Sequence, residues 1–260
     1  MGKIVAVLNQ KGGVTKTTTV LELGYEGGCQ GLRVLIVDMD PQASATKVLL
    51  GRECKPSLYE LMTVEDDDEL LGQALKQADK NWPNTWVLPS DGRLGNIEKD
   101  ITRLGPEGVL KRTLERVEEN FDLILLDLPP LFGVLHTNAL VAADAYLVPC
   151  DLSDFSRDGA RIIKKFADSI RKKGFNPKLE FIGVALTLYQ RQKERAKAYK
   201  ALIADFKEEF GEKFLDVRIP HSVRATDARL ENVPIGQLEK DSLVALAYKD
   251  LFTHVIGGRS

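Results

Sequence analysis

Short apolar runs alternate with longer amphipathic stretches along the chain. Five runs are apolar at almost every position: IVAVL at 4–8, RVLIVD at 33–38, FDLILLD at 121–127, AYLVP at 145–149 and FIGVALTL at 181–188. A run without polar alternation indicates a strand that is buried on both faces, as in parallel sheets covered by helices. Helical patterns are predicted at about 16–29, 106–119, 156–173, 192–210 and 240–255. This alternation predicts an α/β fold, a doubly wound and mostly parallel sheet with helices on both faces.

The chain shows no internal repeat, no low-complexity segment and no linker-like stretch. A length of 260 residues is enough for one large core, so we expect a single domain spanning 1–260. The acidic run EDDDE at 65–69 is expected to form a solvated loop or the start of a helix, because clustered acids favour water and helix N-termini.

Composition excludes several classes of protein. No stretch approaches the roughly 18 consecutive apolar residues that span a bilayer, and the N-terminus has no signal-peptide pattern, so we expect a cytoplasmic protein without membrane attachment. Three scattered cysteines (Cys29, Cys54 and Cys150) suggest neither a disulfide framework nor a zinc site. The net charge is -2, so any contact with nucleic acid must come from a local basic patch.

A glycine-bearing loop, KGGVTKTTT at 11–19, directly follows the first apolar run. A strand that leads through Gly12 and Gly13 into a helix directs backbone N–H groups and the positive helix end into one concavity, which favours anions. There Lys16 can reach β- and γ-phosphate oxygens, and the Thr17 hydroxyl can ligate Mg²⁺. Taken alone, the loop is also compatible with a simple turn into a helix.

The loop departs from the common phosphate-binding pattern G-x-x-x-x-G-K-[ST], because Gln10 and Thr15 occupy its two glycine positions. A β-branched residue strongly disfavours positive φ. Thr15 is therefore predicted to have an ordinary negative φ, with the unusual backbone confined to Gly12 and Gly13.

Carboxylates follow two further strands. Asp38 and Asp40 follow the second apolar run, in VDMDPQ, and Asp127 follows the third, in LLDLPP. Since ligands bind outside the carboxyl ends of strands in open parallel sheets, these acids are expected to converge on the glycine-bearing loop. Hard carboxylate oxygens held by buried strands suit Mg²⁺.

Together these segments resemble the ParA/Soj/MinD superfamily of ATPases, which partition plasmids, chromosomes and other cargo. KGGVTKTT meets the pattern K-G-G-x-x-K-[ST], and the segments DMDPQ and LLDLPP match as well. Later segments at 183–189 and 219–237 extend the resemblance over nearly the whole chain, which looks most similar to small Soj-like members.

The resemblance implies a role for each matching residue. Lys11 would reach across an ATP-sandwich homodimer to the partner's phosphates, and Lys16 and Asp40 would complete the catalytic set, with Asp40 activating water. Thr17 would ligate Mg²⁺, supported through waters by Asp38 and Asp127. The implied ATP contacts are Lys11, Gly12, Gly13, Val14, Thr15, Lys16, Thr17, Thr18 and, near the adenine, Pro220.

The resemblance further implies slow ATP hydrolysis, stimulated by a ParB-like or adaptor protein, and non-specific DNA binding in the ATP state on the nucleoid. A basic segment, RQKERAKAYK at 191–200, offers a surface for DNA. Three of its lysines are predicted to share one helical face: Lys193, Lys197 and Lys200. Three arginines are candidates to extend it: Arg218, Arg224 and Arg229. The arginine that the family carries after IP is His221 here.

Three alternatives remain open from the sequence. A metabolic P-loop enzyme of the same fold would need a substrate pocket, of which no motif is visible. A membrane-associated MinD-like protein would end in a basic amphipathic helix, whereas the apolar stretch near this C-terminus is short and carries little charge. A scaffold that has lost hydrolysis is disfavoured by intact Lys11 and Asp40. The cargo is not visible in the sequence.

Overall fold

The computed structural model describes residues 2–64, 67–101 and 108–257. Its sheet has eight strands: β1 (Lys3–Val7), β2 (Val34–Asp38), β3 (Lys76–Gln77), β4 (Thr85–Leu88), β5 (Leu123–Asp127), β6 (Ala145–Cys150), β7 (Glu180–Tyr189) and β8 (Phe214–Pro220). The strand order is β3-β4-β2-β5-β1-β6-β7-β8. Neighbouring strands are parallel except for the antiparallel pair β3 and β4. The predicted fold class, a mostly parallel α/β sheet, is confirmed.

Within the described residues the helices are α1 (Lys16–Cys29), α2 (Ser44–Leu50), α3 (Leu58–Thr63), α4 (Asp68–Ala74), α5 (Ile97–Asp100), α6 (Val109–Glu115), α7 (Val134–Ala142), α8 (Asp154–Lys172), α9 (Lys197–Phe210), α10 (Arg224–Glu231), α11 (Ile235–Leu238) and α12 (Leu243–Ile256). Short 3₁₀ turns precede or follow several of them, including Arg191–Lys193 before α9.

The helices cover both faces of the sheet because the strands are apolar on both sides. In β1, Ile4 and Ala6 pack into one core, which contains residues of α7, α8 and α9. Val5 and Val7 pack into the other core, which contains residues of α1 and α12. This alternation within one strand explains why the run IVAVL carries no polar position.

All five apolar runs form strands, but three strands were not predicted. β3 has two residues, and β4 is a four-residue strand followed by Pro89, so neither gives a periodic signal. β8 lies at the edge of the sheet and alternates between buried and more exposed positions. Its sequence, FLDVRIP, therefore lacks the continuous apolar run that marked the others.

The predicted helix boundaries differ most at 192–210. The helix starts at Lys197 because Ala196, its N-cap, has extended backbone (φ -65°, ψ 136°) that separates it from the 3₁₀ turn. The prediction that Lys193 shares one helical face with the lysines of α9 is therefore wrong. The predicted helix at 106–119 is observed as α6, and positions 106 and 107 lie outside the described residues.

The acidic run behaves as expected where it is described. Asp67 caps α4, and its carboxylate accepts a hydrogen bond from the Leu70 amide at 3.0 Å. Positions 65 and 66 lie outside the described residues.

Candidate nucleotide-binding site

The sheet brings the candidate residues to one edge. Val7 of β1 is in register with Asp127 of β5, and Asp127 is in register with Asp38 of β2. The loop that follows β1 therefore lies beside the two carboxylates that end the neighbouring strands. We call this edge, with the loop 9–16, Asp38, Asp40 and Asp127, the phosphate edge.

The loop is fixed to the sheet by side chains that the sequence patterns did not identify. Asn9 is fully buried; its amide donates to the Pro149 carbonyl at 2.7 Å and its Oδ1 accepts from the Lys11 amide at 3.0 Å. The Thr187 hydroxyl of β7 donates to the Val14 carbonyl at 3.2 Å. Asn9 could have been identified from the sequence, because it is a polar residue directly after a buried strand.

The backbone of the loop corrects one prediction. Gly13 has a φ of 77°, as expected, but Thr15 also lies in the left-handed region with a φ of 62° and caps α1. The prediction of a negative φ at Thr15 is wrong, because the loop must turn here before α1 begins at Lys16. A β-branched residue in this conformation costs of order 1–3 kcal/mol and persists only where the surroundings fix it.

The surroundings of Thr15 are closely packed. Its carbonyl accepts from the Thr19 amide at 2.8 Å, which begins the hydrogen bonding of α1. The hydroxyls of Thr15 and Thr19 are buried and lie close to the Tyr248 hydroxyl of α12, yet outside ordinary hydrogen-bond geometry. The unusual backbone is thus held between the first turn of α1 and the helix α12.

Lys16 points into the phosphate edge. The side chain is 8% exposed, and its ammonium donates to the Lys11 carbonyl at 3.3 Å. Burial lowers the pKa of Lys16, whereas the nearby charges of Asp127 and Asp40 oppose that change. A buried ammonium with little solvent around it is suited to pair with an anion that enters the loop.

Asp38 is fully buried and held by three donors. One oxygen accepts from the Thr46 amide at 2.8 Å and from the Thr46 hydroxyl at 2.7 Å, and the other accepts from the Asp40 amide at 3.1 Å. Burial raises the pKa of Asp38, and the hydrogen bonds from Thr46 and Asp40 oppose it. Asp40 is only half-buried, which leaves its carboxylate accessible at the edge.

Asp127 supports a fit to a hydrated metal ion. Its carboxylate is fully buried, and neither oxygen has a hydrogen-bond partner within the described part of the chain. Burial and the neighbouring Asp38 raise the pKa of Asp127 well above its usual range. Buried acceptors without donors are costly unless a ligand or water satisfies them. Among the described residues no group of three or more His, Cys, Asp or Glu is arranged to hold a metal directly.

Two cavities adjoin the edge. A cavity of about 310 Å³ lies between the segment after β2, which contains Asp40, the helix α5 and the segment 129–135 after β5. A smaller cavity of about 180 Å³ lies between α1 and α10, with Thr17, Thr18 and Arg229 in its wall. Pro220 is the last residue of β8, which pairs with β7 and is followed along the chain by α10.

The candidate DNA-contacting residues fall into two groups. The five basic side chains of the basic segment (191–200) are exposed and have no carboxylate within ion-pair distance among the described residues: Arg191, Lys193, Arg195, Lys197 and Lys200. Two of the three arginines predicted to extend this surface are paired. Arg218 contacts Glu194 at 2.9 Å, and Arg224 contacts Asp227 at 3.4 Å and Glu239 at 3.5 Å.

A carboxylate that the sequence patterns missed lies beside the loop. Asp151 directly follows β6, and its side chain contacts the ammonium of Lys11. The signal was available, since an acid at the carboxyl end of a strand is the same feature that identified Asp38 and Asp127.

The parallel sheet and the loop between β1 and α1 together define a P-loop nucleotide-binding protein. The model of the AAA domain family matches residues 2–181. The chain is 32% identical over 259 residues to the chromosome partitioning protein ParA of Caulobacter vibrioides, covering 98% of this chain and 94% of that protein. It is also 32% identical over 262 residues to the sporulation initiation inhibitor protein Soj of Bacillus subtilis, covering 98% of each. The chain therefore belongs to the ParA/Soj family of AAA-domain proteins, which confirms the resemblance.

A solved structure supports the same fold. Cobyrinic acid a,c-diamide synthase from Mycobacterium smegmatis, with bound ADP and magnesium, superimposes with a TM-score of 0.82 and is 30% identical; the match covers 100% of this chain and 97% of that one. Within the described residues, no helix has the length and apolar character needed to cross a bilayer.

Proposed function

We propose that the protein is a partition or positioning ATPase that binds ATP with Mg²⁺, dimerises around the nucleotide and hydrolyses it slowly. The observation that carries this proposal is the convergence of Lys16 with Asp38, Asp40 and Asp127 at one edge of the sheet. The family relationship supports it, since relatives at 32% identity over almost their whole length are named for partitioning.

The phosphate edge gives each residue a distinct task. Lys16, buried under the loop, holds the β- and γ-phosphates, and the open space above Gly12 and Gly13 admits them. Thr17 would ligate Mg²⁺, with Asp38 and Asp127 accepting hydrogen bonds from its waters. When bound, the ion neutralises phosphate charge as the bond to the leaving group breaks.

Asp40 is the group that positions the attacking water. It is less buried than Asp38 and Asp127, and its Oδ1 accepts from the Gln42 amide at 2.9 Å, which orients the carboxylate. A water hydrogen-bonded to this carboxylate is held in line for attack on the γ-phosphate, and the carboxylate accepts the proton of the water. The nucleoside would extend toward Pro220 and the cavity beside Thr18.

The basic segment is the surface that we propose for DNA. Its five cations have no carboxylate partner in the described part of the chain and lie before and within the first turn of α9. That turn contains no acid and has the positive end of the helix dipole. Such a surface attracts backbone phosphates without reading sequence. Lys193, Lys197 and Lys200 are the stronger candidates, because Arg218 and Arg224 must first leave their carboxylates.

In this proposal the ATP-bound dimer occupies the nucleoid in the cytoplasm, and a ParB-like or adaptor protein stimulates hydrolysis to release it. The test uses the purified protein with ATP, ADP or no nucleotide, and measures mass by light scattering and retardation of random-sequence DNA in low salt. We expect a dimer that retards DNA with ATP only. A protein that stays monomeric and leaves DNA unretarded in all three states would contradict the proposal.

A second candidate is an ATP-dependent amide-forming enzyme. It is favoured by the likeness to the diamide synthase and by the cavity of about 310 Å³ beside Asp40, which has room for a small substrate. Release of ADP that rises with a carboxylic acid and an ammonia source, without any partner protein or DNA, would favour this function over partition.

A further inference from the structure

Ser90 is a buried polar residue beside the phosphate edge, and the proposed function gives it no task. It follows β4, which pairs with β2 in parallel so that Leu88 is in register with Val37. The residues that come after these two strands, Ser90 and Asp40, therefore lie at the same edge of the sheet. Ser90 is fully buried there.

The hydroxyl and the amide of Ser90 both contact the segment after β2. The hydroxyl donates to the Asp40 carbonyl at 2.6 Å. The amide donates to the Thr46 hydroxyl at 2.9 Å, and that hydroxyl donates to the Asp38 carboxylate at 2.7 Å. Thr46 and Asp38 are fully buried as well. Because hydrogen bonds joined in series away from water strengthen one another, Ser90 extends the network that orients Asp38.

Asp40 is held at three of its own groups. Its amide donates to Asp38 at 3.1 Å, and its Oδ1 accepts from the Gln42 amide at 2.9 Å. Its carbonyl accepts from the Ala43 amide at 2.8 Å and from the Ser90 hydroxyl. Asp38, Gln42 and Ala43 all lie within three residues of Asp40 along the chain, whereas Ser90 follows a different strand. The Ser90 hydroxyl therefore joins the turn that bears Asp40 to the neighbouring segment after β4.

The position of a catalytic water depends on the group that holds it. A displacement of about 1 Å in such a group can cost about 100-fold in rate. Loss of the Ser90 hydroxyl would leave the Asp40 carbonyl with its hydrogen bond from Ala43, so this buried acceptor would stay paired. Removing the hydroxyl should therefore loosen the turn without unfolding the protein.

We propose that Ser90 is a positioning residue that fixes the backbone of Asp40 and, through it, the carboxylate that orients the attacking water. The inference rests on the proposed function in assigning a water to Asp40. It also makes a statement about the nucleotide-free protein, namely that Ser90 restrains the turn at 40–43.

The kinetic test compares Ser90→Ala with the wild-type protein. Single-turnover hydrolysis should slow by about tenfold, while the ATP concentration for half-maximal rate changes by less than about twofold, because the loop that holds the phosphates keeps its contacts. Ser57→Ala is the matched control and should keep wild-type turnover. Ser57 is also fully buried, but its hydroxyl contacts Asp91 and Glu60 rather than Asp40. In an Asp40→Ala background, Ser90→Ala should cause no further loss.

A second measurement does not depend on ATP hydrolysis. Hydrogen exchange of the nucleotide-free protein, followed by proteolysis and mass spectrometry, reports how often the turn at 40–43 opens. The amides of Asp40, Gln42 and Ala43 should exchange about fivefold faster in Ser90→Ala, as expected for the loss of one hydrogen bond. Their exchange should be unchanged in Ser57→Ala, although that variant also loses a buried hydroxyl.

The outcomes separate this inference from the proposed function. A wild-type protein without ATP turnover contradicts the proposed function and leaves the exchange result to decide the inference. Unchanged exchange at 40–43 in Ser90→Ala overturns the inference. In a protein that hydrolyses ATP, wild-type turnover in Ser90→Ala, or an equal loss of turnover in Ser57→Ala, overturns it as well.

Discussion

The phosphate edge and the basic segment hold their charges in opposite ways. At the phosphate edge, Lys16, Asp38 and Asp127 are buried between strands and helices. In the basic segment (191–200), five cations are exposed and have no carboxylate partner among the described residues. The energy of a buried charge depends on a few fixed neighbours, whereas exposed cations attract a polyanion through their total charge. Single substitutions should therefore be decisive at the phosphate edge, and only combined substitutions should matter in the basic segment.

Lys16→Ala should give the largest effect. Within the described residues of the loop, Lys16 supplies the only ammonium that faces Asp127. The substitution removes this ammonium and with it the charge that holds the phosphates. We expect ATP turnover to fall by about 1,000-fold, together with a clear loss of ATP affinity in calorimetry. Lys47→Ala is the control, because Lys47 forms an exposed pair with Glu53. Near-normal turnover in Lys16→Ala would show that the nucleotide binds elsewhere.

Asp40→Ala should separate binding from hydrolysis. Without the carboxylate that positions water, single-turnover hydrolysis should slow by about 100-fold or more, while ATP affinity stays close to that of the wild-type protein. The variant should accumulate as an ATP-bound dimer. Equal losses of affinity and turnover would instead mean that Asp40 supports the shape of the loop after β2 rather than the water.

The basic segment is tested by a triple substitution, Lys193→Ala with Lys197→Ala and Lys200→Ala. Loss of three phosphate contacts should weaken DNA binding by about tenfold or more and reduce the salt dependence of log K by about 2 to 3, with ATP turnover unchanged. The matched control replaces Lys172, Lys173 and Lys178, three exposed lysines at the opposite end of the sheet. If the two triple variants lose DNA affinity equally, DNA binding depends on the overall charge of the protein and not on the basic segment.

Thr15→Gly should give the smallest effect. Glycine relieves left-handed strain of about 1–2 kcal/mol but loses about 0.5–1 kcal/mol through chain entropy, so stability should rise by at most about 1.5 kcal/mol. We expect the rate of hydrolysis or dimerisation to change by about twofold to fivefold with little change in ATP affinity. Asn84→Gly, at another positive φ, is the control. Unchanged rates would make Thr15 a neutral replacement of glycine.

The parts of the fold that could be predicted are those whose sequence pattern reflects one local environment. Strands buried on both faces appear as continuous apolar runs, and α1 was predicted with its observed bounds. β8 was missed because one face of this edge strand is partly exposed. The start of α9 was misplaced because the extended Ala196 interrupts a pattern that reads as helical throughout.

The residues of the site that could be predicted are those whose positions follow from the parallel sheet. Lys16, Asp38 and Asp127 follow or end strands, and parallel strands bring their carboxyl ends to one edge. Asp151 follows the same rule but lies outside the recognised motifs. The pairs of Arg218 with Glu194 and of Arg224 with Glu239 were not predictable, because these partners come into contact only through packing, whereas Arg224 and Asp227 are i,i+3 neighbours on α10.

The sequence by itself determined that this is a mostly parallel α/β protein of the ParA/Soj family with a lysine-bearing phosphate loop. These features follow from local periodicity and from short motifs of fixed spacing. Only the tertiary structure decided the backbone of Thr15, the direction of Lys11 and the pairing of the arginines. The direction of Lys11 is set by the β6–α8 junction, and the pairs of Arg218 with Glu194 and of Arg224 with Glu239 are set by the packing of separate segments; such contacts leave no periodic trace in the chain. The backbone of Thr15 is set by the turn that the loop makes before α1 begins.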